Sequence, residues 1–583
     1  MTPLTYKPTA DGFQVDEPLL SESAEVVTQI HTPALTLSSE TSKDYIVSNY
    51  DDLRAEISHR GGSGTTAYTT QLVRGVPFVH VKATEQQSFT LLTDGVISQQ
   101  DNGATLVVRR GERAFVLRGA SFSANDNTVR ITLAAGSWLS IGSLPAGMEV
   151  AEFTRYATPI TKTAVTYAST GKGVRTTLSY STEGSGETLL LGMPHQRTID
   201  AAPLVKDAYR SLYGTHALYT GNKLVYTTPK PTLTQSLASV TKLPAEQQDL
   251  LREQLKKDAD ANEIEAFDTY FGGKELYRTA QLLQLSSQLD MPEQESKLRT
   301  QLIDELDTWL EANTQPRSIK QFYYDEQFRG IVGEEASFGA ENFNDHHFHY
   351  GYFLQAISVA ARYDDNFVER HGPVVQSLVA DIANEDSDKY LRLRSFDAYA
   401  GHSWASGFSD FETGNNQESI SEAINAWIGI YHWAELTGNK QLQERAQWLY
   451  SNEVSAAQKY WFLEDSPYAA EYSAPFVSLV WGGKRDYATF FSPRPQAKLG
   501  ILLLPMSPGH QYQIGSEQKT AELLSSTLPT DADYNGQFGD YLAMLLSTID
   551  PQKAERIATD LPDDAIDSAN SRTYMWAWIF TRP

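Results

Sequence analysis

The stretch Asn415-Asn416-Gln417-Glu418-Ser419-Ile420-Ser421-Glu422-Ala423-Ile424-Asn425-Ala426-Trp427 decides how this chain is built. Asn415 or Asn416 is a helix N-cap by type, because a short polar side chain there can accept from an orphan backbone N–H. A helix starting at that point puts Glu418 and Glu422 at i and i+4 on one face, with Asn425 continuing the polar stripe. Ile420, Ile424, Trp427 and Tyr431 form a second, apolar stripe. A solvated surface helix would look similar. However, the polar face is acidic with no Lys or Arg nearby, and the remaining sides are apolar, as in a buried inner helix. Two glutamates on such a helix need a polar cavity to face. A ring of helices around a cavity supplies one.

Two further clusters precede it. Asn344-Asp345-His346-His347-Phe348-His349-Tyr350-Gly351-Tyr352-Phe353 places three of the chain's 12 histidines beside a carboxylate. It reads as a helix start capped by Asn344 or Asp345. It also reads as a metal site of Asp345, His347 and His349, or as a carboxylate tuned for proton transfer by aromatic walls. Phe396-Asp397-Ala398-Tyr399-Ala400-Gly401-His402-Ser403-Trp404-Ala405-Ser406-Gly407 has too few aliphatics for a core segment. Its Asp, His and Trp suit a sugar subsite, with polar groups for hydroxyls and a flat face for the pyranose ring. An Asp in one block and glutamates in another make the carboxylate pair that glycoside hydrolysis uses.

Around these blocks the pattern changes once along the chain. Up to about residue 195, runs rich in Val, Thr, Tyr and Phe are broken by Gly and Asn or Asp, as at Arg110-Gly111-Glu112 and Gly171-Lys172-Gly173. These are strand and turn signals, and their number predicts an antiparallel β-sandwich. From Pro244 the spacing turns helical. Leu250, Leu251, Leu255, then Leu282, Leu283, Leu285, Leu289, then Leu302, Leu306, Trp309 and Leu310 mark helices. Further helices are expected over 351–364, 373–384, 418–436 and 440–461.

Composition narrows the function. The chain has 583 residues, which divides into about four domains at most, and a net charge of −25. That acidity excludes a nucleic-acid binder and an anionic-membrane surface. Zero cysteine excludes disulfides, thiolate metal sites and a cysteine nucleophile. The 10 Trp, 30 Tyr and 24 Phe suit a partner that is neutral and ring-shaped. The nucleophile-elbow, phosphate-loop, zincin and dinucleotide signatures are absent from the sequence.

The three blocks, in this order and spacing, resemble glycoside hydrolase family 81, the endo-β-1,3-glucanases or laminarinases. Gln71-Leu72-Val73-Arg74-Gly75-Val76-Pro77-Phe78, Trp481-Gly482-Gly483-Lys484-Arg485-Asp486-Tyr487, Gly500–Pro505 and Asn570–Tyr574 extend the likeness over about residues 60–580. The resemblance implies a β-sandwich over 1–195, a small α/β domain over 196–260 and an (α/α)6 toroid over 261–583. It implies endo-hydrolysis of β-1,3-glucan with inversion, Asp345 as general acid, Glu418 as general base and Glu422 as a supporting acid. His349, Tyr350, Asp397, Tyr399, His402, Trp404 and Asn416 are then expected to line the subsites. No metal or cofactor is implied, and a monomer is expected, with neither nucleic acid nor membrane as partner. An extracellular or cell-surface location follows from the family. Met1–Leu20 carries one Lys and no apolar core, so it does not read as a signal peptide and a cytoplasmic location stays open. The rival readings are a polysaccharide lyase of similar architecture, a non-catalytic glucan-binding cell-wall module and a metallo-hydrolase.

Overall fold

The computed structural model describes residues 3–125, 128–196, 198–237, 240–311, 318–465 and 467–582. Its N-terminal part is a sandwich of two antiparallel sheets. The six-stranded sheet runs in the order Thr5–Thr9, Gly12–Asp16, Leu35–Ser39, Gln87–Leu92, Thr128–Leu133, Ser121–Asn125. The eight-stranded sheet includes the hairpin Thr105–Arg110 with Arg113–Arg118, and ends on the exposed strand Asp44–Tyr50. Period-2 alternation drives the pairing: Val129, Ile131 and Leu133 point inward with polar residues between them. They meet Val81, Leu106, Phe115 and Leu139 of the opposite sheet in a core of their own.

The sandwich ends at Ser143, not near residue 195. Strands Ile160–Thr170, Gly173–Thr182, Lys223–Thr228 and Thr198–Ile199 form a separate four-stranded sheet. Thr188–Gly192 pairs with Gly214–Gly221 in a three-stranded sheet. A boundary at 195 would cut both. This middle region is mostly strand, with one short helix, Val150–Thr154, before it. Its apolar residues join one continuous core with the helical region. Tyr167 stacks on Trp448 at 4.4 Å between centroids, and Trp448 donates to Thr176 at 3.1 Å.

Twelve helices follow among the described residues: α1 (Ala245–Ala261), α2 (Thr269–Gln288), α3 (Pro292–Leu310), α4 (His346–Tyr363), α5 (Phe367–Ala383), α6 (Ile420–Leu436), α7 (Lys440–Ala456), α8 (Pro495–Gly500), α9 (Glu517–Thr527), α10 (Gly539–Leu546), α11 (Pro551–Asp560) and α12 (Arg572–Phe580). They alternate outer and inner. The odd helices α1, α3 and α11 bury a single stripe, such as Leu298, Leu302, Leu306 and Trp309. The inner helices α4 and α6 are buried almost all round, as the apolar sides of 420–434 demanded. α2 packs on α4, α4 on α6, α8 on α10, α10 on α12 and α12 on α2, and Ser421 of α6 donates to the Leu504 carbonyl just after α8 at 2.6 Å, as in an (α/α)6 ring. α1 packs on α2, α3 and α12, so the ring begins at Ala245 rather than 261.

Two inner helices approach very closely. A Cβ on Gly351 would lie 3.0 Å from the Ala426 backbone, and one on Gly429 would lie 2.9 Å from the Leu354 Cβ. The ring is also tied to the front of the chain. A five-stranded sheet runs Asn416–Gln417, Leu479–Trp481, Lys484–Asp486, Val26–Ile30, Leu19–Glu22. Arg485 faces Val27 and Lys484 faces Thr28 across it. Among the described residues no helix is long and apolar enough to cross a membrane.

Candidate active site

The three sequence blocks meet at the end of the ring formed by the N-termini of α2, α4, α6 and α10. The Asp345 amide donates to the Ala405 carbonyl at 2.8 Å, and the Ala405 amide donates to the Asn416 carbonyl at 2.7 Å. Asn344 accepts from Gly407 N–H at 2.9 Å, and Asn415 accepts from Ser406 N–H at 2.9 Å. Asp345 itself is left-handed, with φ 61°, immediately before α4. That region is costly for most residues and tolerated by Asp. It is held because the His349 amide takes the Asp345 carbonyl at 3.0 Å while the 405 loop takes its amide.

Glu418 does not sit on the helix. Asn416–Gln417 pairs with Val480 and Trp481 as a strand, Ser419 is the N-cap of α6, and Glu418 lies in the turn between. Asn415 and Asn416 therefore cap nothing. The distant strand Leu479–Trp481 offers the backbone a ladder that a local reading cannot see. Glu418 still reaches the cavity, and its Oε1 accepts from the Phe490 amide at 3.2 Å. Glu422, in the first turn of α6, is 2% exposed and accepts from the Tyr352 hydroxyl at 2.7 Å.

Asp345, Glu418 and Glu422 line one cavity of about 690 Å³. Its walls carry Phe271, Phe338, Phe411, Phe490 and Phe491, all exposed on an apolar face, Phe490 by 61%. Burial, then the charges of Glu422 and Glu418, hold the Asp345 carboxyl well above the usual range. Burial pushes Glu418 up to about 7, opposed by the Phe490 amide and reinforced by Glu422. Burial also raises Glu422, against Lys274 and the Ser419, Tyr352 and Tyr270 hydroxyls. The cluster thus holds buried carboxyls all shifted toward the protonated form, the setting that proton-transfer chemistry uses.

Among the remaining expected residues, His349 and Asn416 line the cavity. His349 is neutral, its basicity lowered by burial, and bonds Thr269 at 2.8 Å. Four others lie off it because distant groups occupy their polar atoms. Tyr350 is fully buried and donates to the Ile331 carbonyl at 2.5 Å. Tyr399 donates to the Leu191 carbonyl at 2.9 Å. His402 bonds Tyr213 at 3.0 Å and the Ser403 carbonyl at 2.8 Å. Asp397 pairs with Arg74 at 2.5 Å and caps the turn at Tyr399 and Ala400. Trp404 packs edge-on against His402, outside the cavity lining.

The histidines do not assemble a metal site. Both His346 nitrogens are engaged by neighbours, Asp381 at 2.6 Å and the Ala340 carbonyl at 2.8 Å. His347 is turned to Gln417. No group of three His, Cys, Asp or Glu side chains among the described residues is placed to hold a metal. Sequence reading missed Tyr270, Lys274, Asp567 and the cavity phenylalanines. Tyr270 and Lys274 share a helix face at i and i+4, a signal overshadowed by the leucines that follow.

Three carboxylates among aromatic walls, at one end of a closed double ring of helices, define a glycoside hydrolase of the α/α-toroid class. The model of the glycosyl hydrolase family 81 C-terminal domain matches residues 242–579. A glucan endo-1,3-beta-D-glucosidase of Thermobifida fusca is 29% identical over 555 residues, covering 91% of this chain and 72% of its own. One of Acetivibrio thermocellus is 30% identical over 609 residues, covering 98% of this chain and 77% of its own. A glycoside hydrolase family 81 structure from Clostridium thermocellum superposes with TM-score 0.89 at 28% identity, over 99% of this chain and 83% of that one. The chain belongs to glycoside hydrolase family 81.

Proposed function

We propose that this chain hydrolyses internal β-1,3-glucosidic linkages of laminarin-like glucans by a single inverting displacement. Asp345 gives its proton to the glycosidic oxygen as the C1–O bond breaks. Water attacks C1 from the opposite face and passes its proton to Glu418, and Glu422 supports Glu418 and the water. The observation that carries the reading is the convergence of these three carboxylates on one aromatic-walled cavity, with Asp345 and Glu418 pushed toward neutrality by burial. The aromatic faces suit the C–H sides of pyranose rings, and the names of the relatives favour a β-1,3-glucan. His349 and Asn416 contact the sugar. The protein acts as a monomer, outside the cell or at its surface, where such polymers lie.

Incubation with laminarin tests this. Internal cleavage releases a ladder of oligosaccharides, and NMR of the first products shows the α-anomer. Asp345→Asn and Glu418→Gln each lower kcat by about 10²–10⁴-fold. A β-anomer as first product would refute the inverting displacement, and full activity in either variant would refute the assignment of roles.

A further inference from the structure

The cavity holds more negative groups than the hydrolysis uses. Asp345, Glu418, Glu422 and Asp567 all line it, and Lys274 is the one Lys or Arg among the described residues that does. Lys274 is 3% exposed, and its Nζ sits 2.6 Å from Asp567 Oδ2 and 4.9 Å above the Tyr270 ring. Asp567 is fixed in turn: its Oδ1 accepts from Tyr541 at 3.2 Å and from the Ala569 amide at 2.9 Å, and its own amide donates to Asp540 at 3.1 Å. Asp540 also accepts from Asn570 at 2.8 Å. A brace of α10 and the segment before α12 thereby pins one ammonium at the N-terminus of α2. From that position it shares the cavity wall with Glu422, which accepts from the Tyr352 hydroxyl at 2.7 Å.

We infer that Lys274, braced by Asp567, is a positioning residue of the hydrolysis: it keeps Glu422 a carboxylate, and that charge keeps the proton on Asp345 until it is donated. A buried carboxyl with no cation near it takes up a proton instead of staying charged. The titratable and polar groups around Glu422 are Tyr270 and Lys274 from α2, Asp345 just before α4, His349 and Tyr352 from α4, Glu418 and Ser419 before α6, and Asp567 before α12. Lys274 alone among them carries positive charge, since burial leaves His349 neutral. After burial, Lys274 is the strongest influence on Glu422, and Glu422 the strongest on Asp345.

The inference rests on the roles given above to Asp345 and Glu418. Removing the cation lets Glu422 protonate, which lifts its repulsion from both Asp345 and Glu418. Both then titrate lower, and the bell-shaped pH profile moves to the acid side as a whole. Laminarin hydrolysis by Lys274→Met is expected to show that displacement, by about one pH unit. Its KM should stay near that of the wild type, and Lys274→Arg should restore the wild-type profile. Glu422→Gln should move the profile the same way, and the double variant no further. Independently of whether Lys274→Met folds, the infrared difference between wild type and Glu422→Gln at neutral pH should lose a carboxylate band. Loss of a protonated-carboxyl band, an unmoved profile in Lys274→Met, or additive shifts would overturn the inference. If Asp345→Asn and Glu418→Gln are inactive while Lys274→Met keeps the wild-type profile, this inference alone falls. If either of those two is fully active, the reading beneath it falls first.

Discussion

At the scale of single residues, the roles proposed for Glu418 and Asp345 set opposite limbs of the activity profile. Glu418 must be without its proton to accept one from water, and its carboxyl lies at about 7. Asp345 must carry its proton, and burial with two neighbouring charges lifts it well above the ordinary range. The kcat/KM of the wild type is therefore expected to fall as pH drops below about 7 and to fall again on the alkaline side. The two limbs belong to the coupled cluster, not to isolated groups. An initial-rate series over pH checks this, and a profile with no acid limb near neutrality contradicts it. The acids stood out in the sequence because each sits in a block where polar and aromatic side chains cluster. Tyr350, Tyr399 and His402 have the same local surroundings and lie elsewhere. What separates them is a carbonyl or hydroxyl from a distant segment, Ile331, Leu191 or Tyr213, and local composition carries no trace of that.

At the scale of elements, the helices were largely readable and the turns between them were not. The spacing of apolar residues marks α1–α7 within a few residues. The same rule drew Glu418 into α6, because the strand Asn416–Gln417 is made by a partner more than sixty residues away. The short helices α8–α12 escaped notice, since six to eleven residues barely register a 3.6-residue period. The contact of α4 with α6 hangs on Gly351 and Gly429. Asp345 immediately precedes α4 and Glu422 sits in the first turn of α6, so the spacing of these helices is the spacing of the acids. Gly351→Ala is expected to cost about 1–3 kcal/mol in stability, because backbone and not a flexible side chain stands in the way. Displacing one acid by a fraction of an ångström should also lower kcat by about 10- to 100-fold. Denaturant titration and laminarin kinetics read the two effects. Wild-type values in both would mean that the helices slide apart without consequence.

For the whole molecule, buried titratable groups fix where it is most stable. Glu453 lies fully buried, bonded to Ser403 and Trp427, and burial lifts it from 4.5 to about 8. Burial lifts Asp540 likewise, from 3.8 to about 7. Folded protein holds these protons more tightly than unfolded chain, so stability falls as pH rises from the unfolded values to the folded ones. His59, His216, His402 and His510 are lowered by burial from 6.5 to about 4, and there the unfolded chain holds the proton more tightly. Stability therefore falls as pH drops from 6.5 toward 4. Between about pH 4.5 and 6.5 the four histidines outweigh the two carboxyls, so the melting temperature is expected to peak near pH 6.5, on the acid side of the activity optimum, and calorimetry across pH tests it. A peak above pH 8 would contradict the assignment. The change from strands to helices along the chain was visible in the sequence, but the edge of the sandwich was not. Strand runs look alike whichever sheet receives them, and Thr188–Gly192 finds its partner only at Gly214–Gly221. The hairpin Leu19–Glu22 and Val26–Ile30 carries this further. It completes the sheet that includes Asn416–Gln417 and the Leu479–Asp486 turn, and those segments deliver Glu418 and the Phe490 amide. The ring is thus not a self-contained catalytic unit. Cut away from the first thirty residues, it would keep every acid and lose the splint that aims one of them. The front of the chain is therefore inherited together with the chemistry and cannot be exchanged freely for another domain.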